Sequence, residues 1–104
     1  MAKLEIRPTD FDSATKALNG RSSRRIGNNT ELRKTSCGNV VATLHGHEIV
    51  EWTPEGTYAT WAGYATSTTR DRLNQLAPGR FNIKDREPRY NGLPVSSREW
   101  IRVD

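Results

Sequence analysis

Thr53-Pro54-Glu55-Gly56-Thr57 is the stretch on which the fold is decided. Proline presets φ for the second position of a type I turn, and glycine takes the left-handed position that closes a three-residue hairpin loop. Loop length sets register, so Thr53 is expected to face Thr57, Trp52 to face Tyr58 and Val50 to face Thr60. One face of this strand pair then carries an aromatic cross-strand pair, of a kind that stabilises by about 0.2–1 kcal/mol. The other face carries Ile49 and Trp61. Either face is eligible for the core, and a Trp52/Tyr58 pair left outside would be a platform for stacking.

Strand signals continue upstream of the hairpin. Gly46 breaks the chain before Ile49 and Val50, and ahead of it runs the β-branched segment Val40-Val41-Ala42-Thr43-Leu44, preceded by the turn residues Cys37-Gly38-Asn39. Glu31-Leu32-Arg33-Lys34 alternates as a short strand, whereas Arg21 to Asn29 has no usable periodicity. An opening helix is expected from Thr9 and Asp12 at capping-box spacing, with Phe11, Ala14 and Leu18 on one face and Asn19-Gly20 as its stop. Downstream, Thr68 and Asp71 predict the start of a second helix that buries Leu73, Leu76 and Thr69 and ends at Pro78-Gly79. Phe81 and Ile83 resume alternation, Asn91-Gly92 marks a turn, and Trp100 to Val103 closes the chain as a strand. The expected architecture is α+β: a small antiparallel meander of about five strands with one or two short helices on one face. A single domain spans 1–104, with a helix and Arg-rich loop over 1–29, strands and hairpin over 30–66, a short helix over 67–77 and C-terminal strands over 78–104.

Composition sets the setting. A hydrophobic content of 34% lies below the ~45–50% of ordinary globular chains, an average that also counts glycine, so a thin core and homo-oligomerisation are expected. The lone Cys37 cannot form an internal disulfide, and no apolar run reaches the ~18 residues of a membrane span, so the chain reads as soluble and intracellular with no membrane partner. Formal charge is +4, from sixteen Lys and Arg against twelve Asp and Glu, and it is unevenly spread. Residues 1–35 hold eight basic and four acidic side chains, residues 70–104 eight and five, while 36–69 hold three glutamates and no Lys or Arg. Two basic segments flanking an acidic middle point to a polyanion-facing surface.

Two clusters carry that expectation. Arg21, Arg24 and Arg25, interleaved with Ser22 and Ser23, have the guanidinium forks and hydroxyls of a phosphate-contacting arm; the plainer reading is a solvated loop paired with Asp10, Asp12 or Glu31. Arg70 and Arg72, beside Thr68 and Thr69 at a helix start, would complete an anion site, unless that string only caps the helix. His45, His47 and Cys37 fall short of a zinc-ligand set, and no motif for a cofactor or for nucleophilic or acid–base catalysis is present, so no metal, no cofactor and no enzymatic activity are expected. Asn28-Asn29-Thr30, a sequon by pattern, is expected to cap a turn.

Ser23-Arg24-Arg25-Ile26-Gly27-Asn28-Asn29-Thr30-Glu31-Leu32, then Leu44-His45, Ile49-Val50 and Gly56, then Gly63-Tyr64-Ala65-Thr66-Ser67-Thr68-Thr69-Arg70-Asp71-Arg72-Leu73-Asn74, together resemble a family of small uncharacterised proteins of tailed bacteriophages. The resemblance runs over roughly 21–83 and departs at Ala62, Tyr64 and a longer tail. It implies a setting in the cytoplasm of an infected bacterium and no particular activity. Joined to the charge pattern, it leads to a phage accessory protein that binds nucleic acid through non-specific phosphate contacts from Arg21, Arg24, Arg25, Arg70 and Arg72, with Trp52 and Tyr58 as stacking residues. The rival readings are a module that binds a host or phage protein and a virion structural or assembly component; a DNA mimic is excluded by the positive charge.

Overall fold

The structure, a computed structural model, describes residues 3–104. Helix α1 (Phe11–Leu18) is capped by Asp10, whose carboxylate accepts from Ser13 N at 2.8 Å while Ser13 Oγ accepts from Asp10 N at 3.0 Å. The box therefore begins one residue after the expected Thr9, and Thr9 instead donates its own amide to Ser13 Oγ at 2.9 Å. Hydrogen bonds from Ser13 N draw the Asp10 carboxyl below its ordinary range. Asn19 adopts the left-handed conformation (φ 53°) that ends the helix.

The unpatterned segment after α1 contains a strand, β1 (Ser23–Arg25), antiparallel to β2 (Thr30–Lys34). It lacks apolar alternation because only one side has a partner and its side chains stay largely outside. β2 pairs with β3 (Val40–Leu44), β3 with β4 (His47–Thr53), and β4 with β5 (Gly56–Ala59), all antiparallel. A bulge in the β3–β4 ladder lies between Ala42, opposite Val50, and Thr43, opposite Glu48. The extra residue, Ile49, is thereby buried next to Val50.

The expected hairpin register is off by one. Thr53 faces Gly56, Trp52 faces Thr57, Glu51 faces Tyr58 and Val50 faces Ala59, so the loop is the two residues Pro54 and Glu55. The Thr53 hydroxyl is the cause: it accepts from Glu55 N (3.2 Å) and Gly56 N (3.1 Å) and donates to Gly56 O (2.9 Å), closing the turn early. Gly56 keeps negative φ; it is needed because a Cβ there would lie 2.9 Å from both Arg102 Nη2 and Asp104 Oδ1. A one-residue slip sends Trp52 and Tyr58 to opposite faces. Trp52 is fully buried, while Tyr58 is half-buried under the Arg102 guanidinium, 6.0 Å from the ring centroid.

Helix α2 (Ser67–Leu76) is capped by Thr66, not Thr68, through Thr69 N at 3.3 Å. It ends where Ala77 turns extended ahead of Pro78, as a pre-proline residue prefers. Strands β6 (Phe81–Lys84), β7 (Glu87–Tyr90) and β8 (Leu93–Pro94) form a separate sheet, and β9 (Ile101–Arg102) returns to pair with β5. The result is α+β, but with nine strands among the described residues in two sheets, β1-β2-β3-β4-β5-β9 and β6-β7-β8, where one meander of about five was expected. Asn74 clamps α2 to the small sheet, donating to Phe81 O and accepting from Phe81 N, both at 2.8 Å.

One face of the large sheet holds the core: Leu32, Val40, Ala42, Val50, Trp52 and Ala59 pack with Ala14 and Leu18 of α1, Leu73 and Leu76 of α2, and Phe81. The alternate residues Arg25, Glu31, Arg33, Val41, Thr43, Glu51, Tyr58 and Arg102 occupy the opposite face. The shortest dimension, 19 Å, leaves room for the sheet and one layer upon it, since packed layers lie about 10 Å apart.

Candidate nucleic-acid interface

β1 is one of the two edges of the large sheet, β9 being the other, and its side chains decide what that edge offers. Arg24 turns inward, donating from Nη1 to Ala17 O at 2.8 Å, which ties the strand to the last turn of α1. Arg25 is exposed and donates to Asn28 O at 2.8 Å, leaving most of its fork facing out. Arg21 is exposed, and among the described residues its guanidinium makes no hydrogen bond or ion pair.

Pairing with β2 brings two further cations to this edge. Lys34 N donates to Ser22 O at 2.8 Å, so its exposed side chain meets the Arg21 loop. Arg21, Ser22 and Lys34 line a depression of about 280 Å³ with Thr15, Leu18, Gly20 and Val40. Arg33 lies opposite Ser23, diagonal to Arg25. Arg25 and Arg33 share a second depression, of about 330 Å³, with Asn28, Asn29, Thr30, Glu31, Thr43, His45 and Gly46. Its carboxylate, Glu31, meets Arg33 at 3.8 Å, a long and exposed contact that neutralises little. Arg25 and Arg33 thus stand with Glu31 on the sheet face away from the helices, whereas Lys34, in phase with Leu32 and opposite Val40, joins Arg21 in the depression beside α1, so the edge carries two cations on each side. Sequence reading missed Arg33 and Lys34, although both stand in the strand expected immediately after the Arg-rich loop.

The second basic cluster does not join this edge. Arg72 is 1% exposed. Its Nε and Nη2 donate to Asn29 Oδ1 at 3.2 and 3.0 Å, and its Nη1 donates to Gln75 Oε1 at 3.2 Å. Burial lowers its pKa, with the Asp71 charge acting in opposition. It is a staple between α2 and the β1–β2 turn, and although it borders a depression of about 480 Å³ with Lys3 and Arg25, its guanidinium is committed to Asn29 and Gln75. Arg70 precedes it by two residues, about 200° around the helix, so it projects away from that turn. Its guanidinium is engaged by Asp71 at 3.1 Å. Trp52, enclosed in the core, cannot stack on a base, and Tyr58 lies on the opposite sheet face from it.

A third depression, of about 330 Å³, opens beside the start of α2, lined by Leu44, His45, His47, Tyr64, Thr66, Thr68 and Thr69. Tyr64, passed over as a site residue, is the exposed aromatic here at 48%, its ring 4.8 Å from that of His47 and tilted by 45°. Asn29 O accepts from His45 N at 2.9 Å, so the Asn28-Asn29-Thr30, Leu44-His45, Tyr64-to-Thr69 and Arg72 strings converge in space. Among the described residues no three His, Cys, Asp or Glu side chains group to hold a metal ion, and no helix is long and apolar enough to cross a membrane.

The fold and this edge define a small α+β protein with a cationic sheet margin. Residues 10–91 match the family model described as Kyanoviridae Gp96 protein, and the chain belongs to that family. The match runs from the α1 cap to the β7–β8 turn, extending beyond the 21–83 span of the resemblance read from sequence. No curated protein and no solved structure matches the chain.

Proposed function

We propose that this phage protein is a non-enzymatic accessory factor, working in the cytoplasm of the infected host, that binds nucleic acid through sequence-independent phosphate contacts along the β1 edge. The observation that supports it is that the margin made of β1, β2 and the loop before them carries Arg21 and Lys34 on its helix side, beside the Thr15 and Ser22 hydroxyls, and Arg25 and Arg33 on the other. Guanidinium forks and an ammonium along an exposed strand suit a run of phosphate oxygens. Phosphate contacts of this kind position a strand and carry no sequence information. Arg70 and Arg72 drop out of the contact set.

Gel shift with single-stranded and duplex oligonucleotides at about 50 and 200 mM salt tests this directly. Binding at low salt that fades at high salt, and is lost in Arg21→Ala/Arg25→Ala/Lys34→Ala, is the expected result. Absence of binding at low salt would remove the proposal. A pull-down from host lysate with and without nuclease separates the rival: a single protein partner retained after nuclease supports a protein-binding module, and copurification with intact particles supports a virion component.

A further inference from the structure

His45, in the turn between β3 and β4, lines both the Arg25/Arg33 depression and the Tyr64 depression, so the two meet around that turn. The first offers cations for a backbone. The second offers an exposed phenol ring beside a tilted imidazole, an apolar floor of Leu44, and Thr68 among its lining residues, the Thr66 hydroxyl being engaged in capping α2. That pairing of charge with an open aromatic face is what single-stranded nucleic acid needs: phosphates follow the cations while an unpaired base lies on the ring. Duplex bases, already stacked on each other, cannot use the ring. A volume of about 330 Å³ is at the small end of ligand pockets, which run from roughly 300 to 1,000 Å³, and suits one base rather than a larger ligand.

We infer that the Tyr64–His47 depression seats one unpaired nucleobase of a single strand whose backbone runs past Arg25 and Arg33, with Tyr64 as the stacking residue. This rests on the nucleic-acid reading above and assigns it a strand preference and a second contact point. Tyr64 is exposed, so replacing it leaves the core intact.

Fluorescence anisotropy with a labelled single strand and a labelled duplex tests it, using Tyr64→Ala, Tyr64→Leu and Tyr64→Phe alongside the Arg21→Ala/Arg25→Ala/Lys34→Ala variant. Stacking on one aromatic side chain corresponds to a loss of roughly 5- to 150-fold in single-strand affinity for the Ala and Leu variants. Phe, which keeps the π-face, stays within about threefold of wild type on that scale, and duplex binding does not move in any Tyr64 variant. If Tyr64→Ala binds the single strand as wild type does while the triple variant is still weakened, the base site is overturned and the cationic edge stands. If wild type binds neither oligonucleotide, both fall.

Discussion

Arg72→Met removes three donors from the junction of α2 with the β1–β2 turn while keeping an unbranched apolar stem in the same volume. Two of those donors share Asn29 Oδ1 and the third goes to Gln75 Oε1. A hydrogen bond from a charged donor is worth about 1.5–3 kcal/mol, and the acceptors Asn29 Oδ1 and Gln75 Oε1 alone give a gross loss of roughly 3–6 kcal/mol. Two effects reduce it. Neither acceptor is orphaned, since Asn29 Oδ1 still accepts from Thr30 Oγ1 and Gln75 Oε1 from Leu4 N, both at 2.8 Å. The guanidinium also no longer has to be held out of water, a penalty visible in its lowered pKa. The expected net destabilisation is about 2 kcal/mol, a drop in Tm of roughly 8–16 °C for a domain of this size. Urea unfolding followed by tryptophan fluorescence, read with thermal melts, provides the assay. Hydrogen exchange at His45 N, which donates to Asn29 O, should quicken in the same variant. A variant within about 0.5 kcal/mol of wild type, with His45 protection unchanged, would refute the staple, because the guanidinium would then be a passenger in the core.

Gly79 and Gly92 both have positive φ, at 91° and 85°, but a Cβ on Gly79 would sit 2.5 Å from Tyr90 Oη whereas one on Gly92 meets nothing within 4 Å. Gly79→Ala is therefore expected to cost about 1–3 kcal/mol more than Gly92→Ala, the overpacking range, as measured by paired urea melts. Asp104 accepts from Thr57 N at 2.9 Å, which lowers its pKa below the ordinary 3.8, helped by Arg102. A carboxyl depressed in the folded state stabilises above its unfolded value and loses that contribution as pH falls through the folded one. Asp104→Asn should accordingly melt below wild type at pH 7, and the gap should close as pH falls below the ordinary 3.8; a gap unchanged by acid would rule out the carboxylate as its source.

Elements with their own periodicity were legible in the sequence. Val40–Leu44, the two arms of the hairpin, α1, the Leu73/Leu76 face of α2 and Phe81–Lys84 all declare themselves through local spacing, and the structure has each. Elements defined by a distant partner were not. β1 is an edge strand of three residues, visible only once β2 is in place, whereas β9 falls within the closing strand expected over Trp100 to Val103. β7 carries Pro88 and two charged residues, which reads as loop until Phe81–Lys84 pairs with it. The hairpin register escaped because a single hydroxyl, that of Thr53, outweighed the glycine signal. Of the candidate site, the Arg21–Arg25 half was readable from charge density. Arg72 was misplaced because an arginine on a short helix looks solvated until Asn29, 43 positions away, is seen to accept from it. Tyr64 was quoted within a motif, yet its exposure follows from the turn it occupies and from no local pattern.

The central claim is that Arg21, Arg25 and Lys34 act together on phosphates. Its most direct measure is the slope of log K against log salt for wild type and for Arg21→Ala/Arg25→Ala/Lys34→Ala on the same single strand. Each phosphate contact adds about 0.7 to that slope on single strands and 0.9 on duplex, so removing three cations should flatten it by about two units. An equal slope in the two proteins would contradict the account, whatever their affinities.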